Sequence, residues 1–126
     1  MSSNLSKFNE QLLNFLAEMC KLCPDDKTLS NFYYSVDLLK KANPREIMNQ
    51  FKQYIFPFKN QILSKDELFF INNTFTDSIK SNQGISELTR IKQIWVSGIL
   101  TSHDKECIWN YFKVFIYLIE KEYPSK

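Results

Sequence analysis

Four side chains that can ligate a metal ion occur in the sequence as two pairs. Cys20 and Cys23 form a C-x-x-C pair, and His103 precedes Cys107 by four residues. Residues three or four apart share one face of a helix, so the two side chains of each pair are placed to bind the same metal ion. In an up-and-down bundle the end of the first helix and the start of the last lie at the same end. The two pairs together therefore predict a possible Cys3His zinc site.

The same four residues also suit an ordinary helical core. Cys20 and Cys23 fall on the side of the first helix that must be buried, and cysteine is a common small core residue. Cys107 continues an apolar helix, while His103 at a helix start is typical of a surface or capping residue. Core thiols are the favoured interpretation, no cofactor is expected, and zinc is the alternative. A redox role for the C-x-x-C pair is disfavoured, because the dipole at a helix end raises a thiol pKa.

Catalytic patterns are weak in this chain. His103, the only histidine, and Cys107 form a candidate Cys-His dyad. No residue at an informative spacing would orient the histidine, and no Gly-rich oxyanion loop is present. The acidic pairs at 25–26 and 66–67 stand at predicted helix starts, where capping accounts for them. No P-loop, GxGxxG, HExxH or EF-hand pattern occurs, so we predict a protein without enzymatic activity.

Apolar periodicity and helix-boundary signals predict a series of helices. The first ends at residues 23–24, and the second begins at either Asp25 or Asp26. A third begins at Asn43-Pro44 and is kinked or ended by Pro57. A capping box at 64–67 follows, then a polar loop at 76–83. Another helix begins at 86–88 and ends at Gly98 in a left-handed conformation, and Thr101 or Ser102 caps the last helix.

The last helix contains CIWNYFKVFIYLI at residues 107–119, which is apolar on nearly every side. A helix of this kind must be surrounded by protein or lipid. Its length of roughly 20 Å is too short for a bilayer core of about 30 Å, so a central position among other helices is favoured. We predict an all-α fold, with residues 1–126 as a single domain. It is a compact bundle of five or six helices with the C-terminal helix (about 102–123) central.

Composition restricts the classes of function. The net charge is +2, and all but two of the 16 basic residues are lysines spread along the chain, which disfavours nucleic-acid binding. The first ten residues lack the apolar core of a signal peptide, and no apolar run is long enough to span a membrane. Three cysteines, an odd number, are expected to be reduced thiols. These features predict a soluble, intracellular protein that is not secreted.

Aromatic residues between 51 and 70 exceed what one helix face can bury near Pro57. A patch of Tyr54, Phe56 and Phe58 is a candidate partner-binding site, because exposed aromatic clusters mark such sites. The alternative is that these rings surround the last helix. A protein partner or self-association is expected in preference to nucleic acid.

Three stretches of the sequence carry a resemblance to a known group. They are Asn43-Pro44 followed by an aromatic helix, residues 64–70 (SKDELFF), and Ile94-Trp95 together with residues 105–112 (KECIWNYF). In these the chain resembles small, mostly uncharacterised proteins of the large nucleocytoplasmic DNA viruses that infect algae and amoebae. The resemblance implies a viral accessory or virion-associated interaction protein in the host cytoplasm or virion, and it implies no catalytic residue. The alternatives are a small zinc-binding protein and a nucleic-acid-binding accessory protein.

Overall fold

Regular secondary structure is entirely helical in the computed structural model, which describes residues 3–72 and 90–124. The predicted all-α class is confirmed, with seven α-helices in the described ranges where five or six were predicted. The predicted loop at 76–83 and helix start at 86–88 lie outside those ranges. The helices are α1 (Ser3–Leu22), α2 (Lys27–Ala42), α3 (Pro44–Tyr54), α4 (Lys59–Leu63), α5 (Glu67–Asn72), α6 (residues 90–96) and α7 (Ser102–Glu122), with a 3-10 turn at Phe56–Phe58 before α4.

The core forms where α1 and α7 pack against each other in antiparallel directions. The ring of Phe115 lies 5.4 Å from that of Phe8 and 6.1 Å from that of Phe15, centroid to centroid. Asn4 near the start of α1 contacts Glu122 at the end of α7. Helix α1 also packs against α2 and α3, and α7 also packs against α4. The predicted central position of the C-terminal helix is therefore confirmed, and α1 shares that position.

One side of α7 is nevertheless open to solvent. Val114 and Tyr117 are 37% and 58% exposed, and Asn110 and Lys121 are exposed on the same side. The opposite side carries buried residues such as Phe115. The apolar composition of this helix thus exceeds what its neighbours cover.

The turn between α1 and α2 is fixed by a buried carboxylate. Asp26 accepts a hydrogen bond of 3.0 Å from the backbone N–H of Leu29, so it is the residue that caps α2. Its other carboxylate oxygen forms an ion pair with Arg90 of α6. One side chain therefore begins α2 and ties the start of that helix to α6.

In the described ranges, the predicted boundaries on either side of the α6–α7 turn agree with the structure, and one at the start of α5 does not. Thr101 and Asp104 form a reciprocal capping box at the start of α7, and Gly98 has the left-handed φ of 87°. The predicted capping box at 64–67 is wrong. Ser64 ends α4, and Asp66 caps α5 by accepting a 3.0 Å bond from the N–H of Phe69.

Ion pairs hold the segment 59–72 against α7. Lys59 pairs with Glu120, and Lys65 pairs with Glu106. The hydrogen bond from Lys65 is the main reason that the pKa of Glu106 is lowered. The predicted break at Pro57 is the 3-10 turn that separates α3 from this segment.

Candidate functional site

His103 and Cys107 contact each other on the first two turns of α7. The imidazole Nε2 lies 3.6 Å from the thiol Sγ, as the four-residue spacing predicts. The histidine is exposed, and the thiol is half-buried. No carboxylate or carbonyl among the described residues accepts a hydrogen bond from the imidazole. The pair thus lacks the third group that orients the base in a nucleophilic dyad.

Cys20 and Cys23 are half-buried and pack against the core at the end of α1. Burial raises the pKa of the Cys23 thiol, and the nearby carboxylate of Asp26 raises it further. A raised pKa keeps the sulfur protonated and poorly nucleophilic. The Cys23 thiol therefore lacks the lowered pKa that activates a redox cysteine.

The two pairs do not join into one ligand set. Within the described ranges, which include all four residues, no group of three or more His, Cys, Asp or Glu side chains is arranged to hold a metal ion. Structural zinc sites use four ligands. The structure thus places Cys20, Cys23, His103 and Cys107 in two separate pairs, and zinc binding by them stays a prediction.

The predicted partner residues Tyr54, Phe56 and Phe58 are all half-buried and pack against the core. Phe58 contacts Phe69 at 5.4 Å and lines a cavity of about 40 Å³ between the segment 55–70 and helices α6 and α7. Tyr54 lines a second cavity, of about 80 Å³, between α2 and α3. The three rings do not form one exposed patch, and their role in partner binding stays a prediction.

Both cavities are small, about 40 and 80 Å³. The lining of the smaller cavity is almost entirely apolar, with Phe70, Trp95 and Trp109 among its walls.

The outer side of α2 carries two exposed large apolar side chains. Among the described residues, they are more exposed than the similar pair, Val114 and Tyr117, on α7. Tyr34 is 65% exposed and Leu38 is 69% exposed, one turn further along. Asn31 continues the row toward the start of the helix, and Lys27 and Lys41 stand at its two ends, all three exposed. We call these five residues the outer stripe of α2.

The inner side of α2 explains why this surface is held firmly. Only Leu29 and Val36 are fully buried, while Phe32, Tyr33 and Leu39 pack half-buried on the core. The ring of Tyr33 also contacts that of Tyr34 edge to face, with centroids 5.7 Å apart. The exposed tyrosine is thus supported by a neighbour that is itself anchored.

The sequence contained a signal for the outer stripe of α2. The apolar periodicity of this helix is satisfied by residues 29, 32, 33, 36 and 39, which leaves Tyr34 and Leu38 outside it. Two large apolar residues one turn apart on a side that is not needed for the core indicate a second contact surface.

Helices of the described ranges are not long and apolar enough to cross a bilayer.

No protein-family model matches the chain. No match is found among curated proteins or among solved structures.

Proposed function

We propose that the protein is a non-enzymatic helical interaction module that binds a protein partner through the outer stripe of α2. The observation that carries this proposal is the pair Tyr34 and Leu38, two large apolar side chains mostly exposed and one turn apart. Full burial of a side chain of this size contributes roughly 1.5–3 kcal/mol. A partner that covers both would gain enough to make this pair the centre of an interface.

A binding function is also favoured because the described residues form neither a complete catalytic site nor a metal site. Among the described residues, no group orients the His103 and Cys107 pair, and no set of three or more ligands is arranged to hold a metal ion. The outer stripe of α2 lies on a helix fixed by the Asp26 cap, so little ordering is required on binding. A rigid apolar pair on a helix surface suits recognition of another protein.

The resemblance to proteins of large DNA viruses extends this proposal to a viral accessory or virion-associated protein, acting in the cytoplasm of the infected cell or in the virion. This part is supported by the three sequence stretches alone. Detection of the protein in purified particles and in fractions of infected cells tests it. Finding it only in the culture medium would contradict it.

The binding proposal is tested by comparing two double variants with the unchanged protein in quantitative affinity enrichment. Tyr34→Gln with Leu38→Gln removes the apolar centre of the outer stripe of α2. Val114→Gln with Tyr117→Gln is the matched control on the open side of α7. We expect the first variant to lose partners that the control retains, while circular dichroism shows both folded. Equal retention by the two variants would place the interface elsewhere.

A further inference from the structure

Lysines stand at both ends of the outer stripe of α2. From this arrangement we infer that the stripe receives an acidic amphipathic helix of a partner protein. This inference rests on the proposed function and names the chemistry of the partner. Lys27 and Lys41 are fourteen residues apart, which along a helix is about 21 Å. Tyr34 and Leu38 lie between them.

The spacing of the stripe matches a helical partner. Its members follow each other at steps of four, three, four and three residues, which is the repeat that keeps one helix aligned along another. A peptide that binds by adding a strand would instead need the free edge of a sheet, and the described residues contain no strand. A helix of about four turns has the length to reach from one lysine to the other.

The charges of the stripe determine which helix fits. Lys27 and Lys41 are exposed, and neither forms an ion pair with a described residue. The stripe contains no acidic residue, and α2 and α3 together carry five basic residues and two acidic ones. A partner helix with Asp or Glu near both ends and large apolar residues between them would pair both lysines and cover both apolar side chains.

A second copy of the chain fits the stripe poorly. In an antiparallel pairing that sets Tyr34 against Leu38 of the other copy, Lys27 of one α2 lies about one turn beyond Lys41 of the other, so positive charges gather at both ends of the pair. Like charges placed together in this way are destabilising. The stripe is thus complementary to an acidic helix rather than to itself.

Two synthetic peptides test the inference with the full-length protein. Both carry the same apolar centre on a four-turn helix, and one has glutamate and the other lysine at the positions facing the ends of the stripe. We expect the glutamate peptide to bind about tenfold more tightly by fluorescence anisotropy at low salt. Lys27→Glu with Lys41→Glu should reverse this preference.

The matched control is Lys7→Glu with Lys21→Glu on α1. These exposed lysines have the same separation of fourteen residues, so the change in net charge is identical while the outer stripe of α2 is untouched. We expect this control to retain the preference for the glutamate peptide. Loss of the preference in the control as well would show a general charge effect and overturn the inference.

Other outcomes separate this inference from the proposed function. Equal binding of both peptides, lost in Tyr34→Gln with Leu38→Gln, would overturn the acidic partner and leave a helix-binding surface. Dimerisation in sedimentation experiments that the same variant abolishes would identify a second copy as the occupant. The proposed function and the acidic-helix inference would both be overturned if the protein bound phosphatidylserine vesicles or duplex DNA but neither peptide, and if the charge reversal on α2 abolished that binding.

Discussion

The side-chain amide of Asn9 donates a hydrogen bond of 3.1 Å to the backbone carbonyl of Pro44, although Asn9 has no exposed surface. This bond joins the middle of α1 to the first residue of α3. Since a single residue, Asn43, separates α2 from α3, the bond also fixes the corner between those helices. A polar residue inside the apolar side of α1 is thus the point at which three helices are held together.

Replacing Asn9 by alanine should destabilise the fold by about 1 kcal/mol, because the hydrogen bond that joins α1 to the partly buried carbonyl of Pro44 would be lost. Chemical denaturation monitored by circular dichroism measures this difference. Asn14→Ala on the exposed side of α1 is the matched control and should change stability by less than about 0.5 kcal/mol. Similar effects of the two substitutions would contradict a specific role of the bond.

Asp26 should be much more sensitive to substitution than its neighbour Asp25. Asp26→Ala removes both the cap of α2 and the partner of Arg90, and we expect a loss of about 2 kcal/mol. Asp26→Asn retains an oxygen that can cap the helix, so it should cost less. Asp25→Ala, at an exposed position, should be nearly neutral in the same denaturation experiment. A neutral Asp26→Ala would exclude this anchoring role.

The thiol of Cys23 should react slowly with iodoacetamide at neutral pH. Its pKa is raised by burial and by the carboxylate of Asp26, so less thiolate is present than for a free thiol at the same pH. The rate is measured in a protein with Cys20→Ser and Cys107→Ser, in which this is the only cysteine. Adding Asp26→Asn should lower the pKa and accelerate the reaction, whereas Asp25→Asn should not. A rate independent of Asp26 would contradict the electrostatic cause.

Contacts local in sequence were predictable, and contacts between distant segments were not. Short spacings along the chain account for the Thr101 cap, the left-handed Gly98 and the His103–Cys107 contact. The ion pair of Asp26 with Arg90 joins residues that are 64 positions apart. Periodicity indicates that a position is buried, but it does not show which distant group will meet it there.

The candidate sites illustrate the same difference. The four-residue spacing of His103 and Cys107 predicted their contact. Whether the pairs meet depends on the rotation of α1 and α7 about their axes, which the packing of the large aromatic side chains determines. Tyr34 and Leu38 lie outside the buried periodicity of α2, so the pattern that predicts the core does not identify them.

Purified protein should contain far less than one zinc ion per chain, because the described ligands do not form a group of three or four. Inductively coupled plasma mass spectrometry measures the content directly. A chelator should leave the melting temperature unchanged, since a structural zinc would otherwise contribute to folding. If one zinc ion per chain were found and were lost in both Cys20→Ser and Cys107→Ser, the C-x-x-C pair and the His103–Cys107 pair would have to meet in one site.

A charge at Phe112 should abolish cooperative folding. Phe112 is buried in α7, and its ring contacts those of Phe15 and Phe115 at centroid distances of 5.6 and 5.7 Å. Phe112→Asp removes these contacts and buries a carboxylate without a partner, and each effect costs several kcal/mol. Their sum is comparable with the whole stability of about 5–15 kcal/mol that is typical of a single domain.

Tyr117→Asp is the matched control for this last substitution, because it places the same charge on the same helix at a position 58% exposed. Water can solvate the carboxylate there, so we expect a cooperative thermal transition close to that of the unchanged protein. Ile116→Asp, one residue away on the buried side, should instead behave like Phe112→Asp. The abrupt change in tolerance between adjacent positions would map the boundary between the core side of α7 and its open side. If Phe112→Asp melted cooperatively, α7 would not be packed at the centre of the fold.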